Sequence, residues 1–450
     1  MRRIIRIATL FAVGLAVHHA APLLAQDFGP LRDQDYRDGG APDARMVELG
    51  RFLFFDEALS GNRNISCATC HHPAFFTGDG LSLGVGEGGR GIGLARSTGA
   101  GRTRIRERVP RNAPALFNIG AVEFRSMFHD GRVEVAGNEA SGFRTPLGDD
   151  LPVGLDSVVA AQAMFPLISG TEMAGQRGEN TIGRAVARGE VAGAGGAWDL
   201  IAQRLRDIPE YVDLFRRAFA DVRSSDDMTI VHAANALAAF EEAAFRSDQS
   251  PFDRFLRGEA GALTAAQDRG RRLFYGRGGC ARCHAGPLQT DQRFHSIAMP
   301  QVGPGKGDGR DGHEDFGRER VTGDPRDRYR FRTPSLRNVE LTGPWGHDGA
   351  YASLEEMVGH YIDPARAINE YDRAQAILPS RRNLNQLDFL VMDDPVRVQA
   401  IADSNQARPE RLSPQEVADL VSFLRALTDP SAYMLLDQIP ATVPSGLLTQ

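Results

Sequence analysis

All four cysteines of the chain belong to two copies of one pattern, C-x-x-C-H, at residues 67–71 and 280–284. Two thiols at this spacing can form thioethers with the vinyl groups of one haem, and the histidine that follows can bind the haem iron. The pattern therefore predicts two covalently bound c-type haems. The residues assigned to haem attachment are Cys67, Cys70, His71, Cys280, Cys283 and His284, with His71 and His284 as iron ligands.

Other uses of paired cysteines fit this spacing less well. A structural zinc site needs the two pairs to meet as four sulfurs, or needs further histidines at metal-binding spacing. A redox-active dithiol is rarely followed by histidine at the next position in two copies. Disulfides are the usual outcome in an oxidising compartment, but the repeated histidine favours haem at both pairs.

The first 25 residues are typical of a secretory signal. Three arginines within the first six residues precede an apolar run at 7–17, and the segment ends at Ala25. An uncleaved membrane anchor is the alternative, but the apolar run is short and two histidines follow it. We expect cleavage near Ala25 and export to the periplasm. No later stretch is apolar enough to span a bilayer, so no stable membrane insertion is expected.

The sequence around the two motifs is itself repeated. Each motif is preceded by Gly-Arg-x-Leu-Phe and followed by Pro-x-Leu-x-Asn and then His-Asp-Gly. The paired segments are residues 50–54 and 270–274, residues 114–118 and 334–338, and residues 129–131 and 347–349. This repeat predicts two homologous haem domains in tandem.

Helical periodicity dominates the elements that must position these motifs. Residues 413–427 open with the capping box Ser-Pro-Gln-Glu and continue with apolar residues at helical spacing. Residues 228–245 show the same periodicity and end before a linker at 246–262. Residues 303–330 are rich in Gly, Asp and Arg without periodicity, which predicts a loop. The predicted fold is mainly α, with two c-type cytochrome domains, long loops and few strands.

The predicted domains are a signal peptide at 1–25, an N-terminal haem domain at 26–245, a C-terminal haem domain at 246–436 and a tail at 437–450. The 450 residues are 42% hydrophobic and 24% charged, which excludes a disordered or fibrous protein. The formal net charge of −6 gives no basic surface for nucleic acid, so no nucleic-acid partner is expected.

Beyond haem attachment, the sequence resembles the bacterial di-haem cytochrome c peroxidases and their relative MauG over nearly the whole mature chain. Besides the two haem motifs, the resemblance rests on Arg-Asn-Ala-Pro, Glu-Met, Ser-Pro-Phe-Asp, Thr-Pro-Ser-Leu-Arg-Asn-Val and Gly-His-Asp-Gly. These segments are residues 111–114, 172–173, 250–253, 333–339 and 346–349. The resemblance implies that the N-terminal haem binds peroxide and that the C-terminal haem relays electrons.

A peroxidase haem needs an open position on its iron. Some family members hold the first iron with a second histidine, but here no histidine lies between His72 and His129. We therefore expect a five-coordinate first iron. Met127, Met164 and Met173 are alternative ligands, although a core position is the commoner place for methionine.

A peroxidase also needs an acid–base group that moves a proton while the O–O bond breaks. Glu172 aligns with the family's catalytic glutamate, and Gln162 and Pro166 precede it at the spacing of the MauG distal pocket. The resemblance thus implies that Glu172, Gln162 and Pro166 form the catalytic pocket. A surface carboxylate is the alternative for Glu172, because glutamates are usually exposed.

The second site depends on Tyr361. Leu354, Met357, Val358 and Tyr361 share one face of a predicted helix, so the phenol points inward. At this position the peroxidases carry a ligating methionine and MauG carries a ligating tyrosine, which implies that Tyr361 binds the second iron. A plain core tyrosine, with Met357 or Met392 as the ligand, is the alternative.

The sequence departs from the family pattern at three places. His129 replaces the tryptophan that the family places between the haems, and residues 136–156 form an insertion. Gly278 and Gly279 stand where MauG has a second tryptophan, so oxidation of a protein substrate by that route is doubtful.

The family's third cofactor is a calcium ion between the haems, and its ligands map onto Asn112, Thr342 and Pro344. Carbonyl oxygens of this kind suit a hard cation. Without the resemblance, a capping asparagine and an ordinary turn explain these residues equally well.

The leading prediction is an exported peroxidase that reduces hydrogen peroxide at the N-terminal haem with electrons relayed through the C-terminal haem. The electron donor would be a small protein, a cytochrome c or a cupredoxin. A MauG-like enzyme, which uses peroxide-derived high-valent iron to oxidise residues of a partner protein, is the first alternative. A two-haem electron carrier is the second. A homodimer is compatible with the sequence.

Overall fold

The structure is a computed structural model, and it describes residues 29–176, 178–408 and 411–449. The predicted signal peptide at 1–25 lies outside the described residues. In the part of the chain that is described, none of the helices has the length and apolar character needed to cross a bilayer.

The described residues form a mainly helical protein with few strands, as predicted. The helices are α1 (Ala44–Phe55), α2 (Cys67–Cys70), α3 (Val158–Ala163), α4 (Thr181–Ala187), α5 (Ala197–Arg206), α6 (Pro209–Ala218), α7 (Ile230–Ala244), α8 (Pro251–Leu256), α9 (Ala265–Tyr275), α10 (Glu319–Thr322), α11 (Leu354–Ile362), α12 (Pro364–Asn369), α13 (Arg382–Asn385), α14 (Pro395–Asp403) and α15 (Pro414–Arg425). The strands are β1 (Ser126–Met127), β2 (Val133–Val135), β3 (Phe143–Arg144), β4 (Phe294–His295) and β5 (Phe331–Arg332). Strands β1, β2 and β3 form one antiparallel sheet, and β4 pairs with β5.

The repeated Gly-Arg-x-Leu-Phe segment makes the same helix crossing in both halves. Gly50 on α1 faces the Ala236 carbonyl of α7, and Gly270 on α9 faces the Asp419 carbonyl of α15. A Cβ atom at either glycine would collide with that carbonyl oxygen. Because glycine has no Cβ, it lets the two helix backbones approach closely. Each half is therefore built around one close pair of helices.

The repeated Pro-x-Leu-x-Asn segment closes the end of each helix pair. Asn118 and Asn338 have positive φ angles of 60° and 56°, which asparagine tolerates better than most residues. The Asn118 N–H donates to the carbonyl of Phe245 at 3.0 Å, just after α7, and the Asn338 N–H donates to that of Leu427 at 3.1 Å, just after α15. Both side-chain amides donate to Ser247, which lies between the halves.

Apolar packing follows the two helix pairs. The largest core cluster joins α1, α3, α5, α6 and α7, and a second cluster joins α8, α9 and α15. The segment after residue 436, predicted as a tail, packs back on the first cluster through Val443. There the Ser445 hydroxyl donates to Asp56 at 2.7 Å, and the Arg51 guanidinium donates to the Gln438 carbonyl at 2.6 Å. The domain boundary near residue 246 stays a prediction.

We expect Gly270→Ala to lower the free energy of unfolding by about 1–3 kcal/mol, the usual cost of overpacking a close contact. Gly359→Ala is the matched control, because Gly359 also lies inside a helix, α11, but has open space where the Cβ would be placed. That control should raise the free energy of unfolding by about 0.5–1 kcal/mol through helix propensity. Urea denaturation of the haem-loaded protein measures both; equal effects would contradict the proposed role of Gly270.

Candidate functional site

The first C-x-x-C-H motif is formed by the short helix α2 and the turn that follows it. Ser66 caps this helix, and its N–H donates to the Thr69 hydroxyl at 2.9 Å. His71 Nδ1 lies 2.9 Å from the Thr77 carbonyl oxygen. Because a carbonyl can only accept, Nδ1 carries the hydrogen, and Nε2 keeps the lone pair that binds a metal. Thr77 has a positive φ of 69°, so the returning loop turns sharply to reach the ring.

The second motif repeats this arrangement. His284 is buried, and its Nδ1 lies 3.0 Å from the Gln289 carbonyl oxygen. Gln289 also has a positive φ, 48°. The backbone N–H of His284 donates to the Cys280 carbonyl at 2.9 Å, which holds the histidine directly after the cysteine turn. Both histidines are therefore oriented by the same contact and present Nε2 for a metal.

The donor set fits two covalently attached haems. All four cysteines are free, half-buried thiols, so neither pair forms a disulfide. Among the described residues, the groups close enough to hold a metal ion include no set of three sulfurs, which argues against the zinc alternative. The group that does form contains Cys283, Asp291 and His295, with a single sulfur. Haem attachment itself stays a prediction from the motif.

The negative charge of Glu172 acts on the first motif. Burial raises the pKa of the Cys70 thiol to about 12, and the charges of Asp79 and Glu172 add to this rise. Burial likewise raises the pKa of Cys67, and the negative charge of Glu241 on α7 raises it further. Three carboxyl groups, those of Asp79, Glu172 and Glu241, thus act on the first cysteine pair. Sequence reasoning missed Glu241, although an acidic residue in the apolar α7 pattern was a usable signal.

Gln162, Pro166 and Glu172 lie on one continuous series of tight turns. Gln162 is at the end of α3, and its carbonyl accepts the Phe165 N–H at 3.0 Å. The Pro166 carbonyl accepts the Ser169 N–H at 3.2 Å, and the Ser169 carbonyl accepts the Glu172 N–H at the same distance. The structure therefore places the three predicted pocket residues on one segment, and all three are half-buried.

A glycine-rich segment fixes the backbone at Glu172. The Glu87 N–H donates to the Glu172 carbonyl at 3.0 Å. A Cβ atom at Gly86 would collide with the Thr171 carbonyl oxygen, so only glycine fits at this approach. This contact restricts where the Glu172 side chain can reach.

Arg132 adds a cation to this pocket. Its guanidinium carbon lies over the Phe128 ring, 3.5 Å from the ring centroid. The Phe128 ring packs edge-on against the Phe165 ring, with centroids 6.1 Å apart. Burial lowers the pKa of Arg132, and the charges of Asp130 and Glu172 oppose that shift. Arg132 and Glu172 are therefore oppositely charged neighbours. Arg132 ends a stretch, residues 128–132, that resembles a family motif, but the sequence assigned it no role.

Two histidines, the half-buried His129 and the buried His347, occupy the region between the motifs. His129 Nε2 lies 3.1 Å from the Asn112 carbonyl oxygen, and His347 stacks on the Phe331 ring with centroids 3.8 Å apart. Burial, with the nearby Arg111 charge, lowers the pKa of His129 to about 4. Burial lowers the pKa of His347 to about 3. Both imidazoles are therefore neutral at pH 7.

Tyr361 lies beside the second motif. Its ring meets the His284 ring edge-on, with centroids 6.4 Å apart. Burial raises the pKa of Tyr361 above its usual range, and the two cysteines of this motif contribute. The alternative ligands pack elsewhere, Met357 in one apolar cluster and Met392 in another. These contacts favour Tyr361 over either methionine as the residue that faces the second site.

The predicted calcium ligands lie near the region between the motifs. The Asn112 side-chain amide donates to the carbonyls of Leu81 at 2.9 Å and Ser82 at 3.2 Å, so its carbonyl oxygen is the atom that can face a cation. The Asn112 backbone N–H donates to the His347 backbone carbonyl at 2.9 Å. His347 follows Thr342 and Pro344 by a few residues in the sequence. This oxygen-rich set suits calcium, and the site stays a prediction.

Several known proteins are similar to this chain. The family described as di-haem cytochrome c peroxidase matches residues 44–261. Methylamine utilization protein MauG of Methylorubrum extorquens is 30% identical over 423 residues, covering 92% of this chain and 89% of that protein. Cytochrome c551 peroxidase of Pseudomonas aeruginosa is 30% identical over 352 residues, covering 78% of this chain and 81% of that protein.

The solved structures agree at the level of the fold. A MauG-like protein associated with microbial copper homeostasis superposes with a TM-score of 0.56 at 25% identity, covering 94% of this chain and 97% of that one. The diheme peroxidase BthA of Burkholderia thailandensis superposes with a TM-score of 0.56 at 21% identity, covering 91% of each chain. The chain thus belongs to the di-haem cytochrome c peroxidase and MauG family, and it is an oxidoreductase.

The first test of the site is its cofactor content. The intact mass of the exported protein should equal the chain from Gln26 plus two haems. Replacing both Cys280 and Cys283 by alanine should leave one haem per chain in a pyridine haemochrome assay, because the first motif is independent of the second. A single haem in the unaltered protein would contradict the two-haem prediction.

Proposed function

We propose that this protein is an exported, periplasmic di-haem peroxidase that reduces hydrogen peroxide at the first motif with electrons that pass through the second. The position of Glu172 supports this proposal most directly. Its carboxylate is close enough to Cys70 and Arg132 to shift the pKa of both groups. An acid–base group beside a haem-attachment motif is what a peroxidase requires and what a simple electron carrier does not need.

The reduction of peroxide consumes two electrons and two protons and yields two waters. Glu172 would accept the proton of the incoming peroxide and return it to the oxygen that leaves as water. Arg132 would hold a positive charge beside it, while Gln162 and Pro166 would shape the pocket. When bound, the haems supply the iron that coordinates peroxide and the path for electrons.

Electrons would reach the first site from a small donor protein, a cytochrome c or a cupredoxin. Between the two motifs they would cross the region that holds His129, Phe331 and His347. The predicted calcium ion, held by Asn112, Thr342 and Pro344, would fix the backbone of this same region.

The contact between Tyr361 and His284 supports a second candidate function. An anionic phenolate ligand favours oxidised iron, whereas a methionine thioether raises the potential and favours a stored electron. A tyrosine-ligated second site is therefore suited to a MauG-like enzyme, which passes peroxide-derived oxidising equivalents to residues of a partner protein.

Glu172→Gln should slow peroxide consumption by about 10²-fold or more, the usual scale of general acid–base catalysis, and should leave both haem spectra intact. Glu107→Gln is the control, because Glu107 is an exposed carboxylate. Steady-state peroxide consumption with a reduced small cytochrome measures both. Unchanged turnover in Glu172→Gln would show that another group carries the proton.

Tyr361→Met should replace an oxygen ligand by a thioether and raise the potential of the second haem. Tyr361→Phe should change the low-spin EPR signal of that haem and leave the other haem as it was. Tyr433→Phe, at an exposed tyrosine, is the control. Spectropotentiometry and EPR give the readouts. If both Tyr361 variants keep the unaltered spectrum and potential, Tyr361 is a core residue and the second candidate loses its support.

A further inference from the structure

Glu87 is a buried glutamate to which the proposed reaction assigns no role. It belongs to the glycine-rich segment at residues 84–107, and only 1% of its surface is exposed. Its Oε1 accepts a hydrogen bond from the Asn62 side-chain amide at 2.7 Å. The Asn64 side chain also acts on this carboxyl group, but Oε2 accepts no hydrogen bond of normal geometry from a described residue. Because a buried oxygen without a partner is costly, Oε2 requires a further partner.

The buried cation that acts on Glu87 does not form an ion pair with it. Arg96 is 2% exposed, and its guanidinium donates to three backbone carbonyls of the same glycine-rich segment. A second carboxyl group, that of Glu179, lies close by, because the Asn62 amide donates to it as well, at 3.0 Å. Burial, helped by the negative charge of Glu179, raises the pKa of Glu87 to about 7. The two carboxyl groups thus have no paired cation among the described side chains.

A second unpaired oxygen belongs to Gln176, which is 8% exposed. The Gln176 Nε2 donates to the backbone carbonyls of Thr103 at 3.3 Å and Arg104 at 3.0 Å, and to the Glu179 carboxyl group at 3.2 Å. These three acceptors establish which end of the amide is the nitrogen. The other end, Oε1, is therefore an acceptor, and it is buried without a hydrogen bond from a described residue.

Glu87 and Gln176 line one cavity of about 320 Å³. The cavity lies between the glycine-rich segment and the turn at residues 170–176. Arg106 and Glu107 also line it, but both are exposed, so Glu87 is the buried lining residue that can carry a charge. The two unpaired oxygens therefore face a common space that is large enough for an ion with several water molecules.

We propose that this cavity binds a calcium ion through the Glu87 carboxylate and the Gln176 side-chain carbonyl. Both ligand atoms are oxygens, which hard cations prefer, and calcium accepts water molecules at the rest of its about six to eight positions. Magnesium demands a stricter octahedron, and zinc prefers nitrogen and sulfur ligands. The ion would join the glycine-rich segment to the turn that carries Glu172. None of its ligands belongs to the predicted calcium site at Asn112, Thr342 and Pro344.

The calcium content of the haem-loaded protein tests this site. The protein is dialysed against buffer of fixed free calcium, and calcium per chain is measured by inductively coupled plasma mass spectrometry. Glu87→Gln removes the carboxylate charge at nearly constant volume and should lose one calcium per chain. Glu210→Gln, at an exposed carboxyl group of α6, is the control and should lose none. Equal calcium in both variants and in the unaltered protein would overturn the proposal.

A variant of the predicted calcium site shows whether two different ions are involved. Asn112→Ala should leave the calcium at Glu87 in place, and combining Asn112→Ala with Glu87→Gln should add the losses of the single variants. If each single variant loses one calcium and the double variant also loses only one, a single ion depends on both residues. That result would overturn the separate site.

Variants of Gln176 distinguish an oxygen ligand from a hydrogen-bond donor. Gln176→Leu should weaken calcium binding by at least the roughly 10-fold that loss of an outer-shell partner costs. Gln176→Glu lacks the Nε2 donor too, but it keeps an oxygen ligand and should retain the calcium. Equilibrium dialysis over a range of free calcium measures both, and the haem spectra report whether each variant is folded. Equal loss in the two folded variants would overturn Gln176 as a ligand. None of these measurements uses peroxide, so their outcome is independent of the proposed function.

Discussion

A buried cation, Arg111, joins the two halves of the chain at the first site. A guanidinium nitrogen of Arg111 lies 2.6 Å from a carboxylate oxygen of Asp130, and another lies 2.7 Å from a carboxylate oxygen of Asp315. All three side chains are buried. Although burial opposes it, the two carboxylates hold the pKa of Arg111 above its usual range, and they are themselves ionised. Removing Arg111 would leave the Asp315 carboxylate uncompensated in the interior, which is strongly destabilising. The contact therefore fixes the second-half loop against the first site.

The parts of the fold that the sequence predicted are those that depend on local signals. The capping box at Ser413 is present, with the Ser413 hydroxyl donating to Glu416 at 2.9 Å, and α15 follows as expected. The repeated segments around Gly50 and Gly270 each place a glycine at a close helix crossing. Because only glycine lacks a Cβ, the same residue occurs at both crossings. Residues 303–330 are mainly a loop, but they also contain the short helix α10.

The parts that the sequence could not predict depend on residues far apart along the chain. Arg111 and Asp315 are separated by 204 positions, and neither the periodicity nor the composition relates them. The same holds for Arg132 and Glu241, which come close to the first motif only when the chain folds. The family resemblance indicated Glu172 and Tyr361, whereas the ion pairs around the first site join residues of separate segments, which no single motif relates.

The region between the motifs contains several groups whose pKa values are shifted by burial. His129 and His347 have pKa values of about 4 and about 3, lowered mainly by burial, so both are neutral across the physiological range. Burial raises the pKa of Asp348 to about 8, so at pH 7 it is mostly protonated. Arg111 is paired here with Asp130 and Asp315, whereas Arg332 donates to the Phe128 carbonyl and the Gln292 side chain. Two neutral imidazoles and the Phe331 ring therefore provide a π-rich interior, and the neighbouring Asp348 carboxyl is the group there whose protonation changes close to neutral pH.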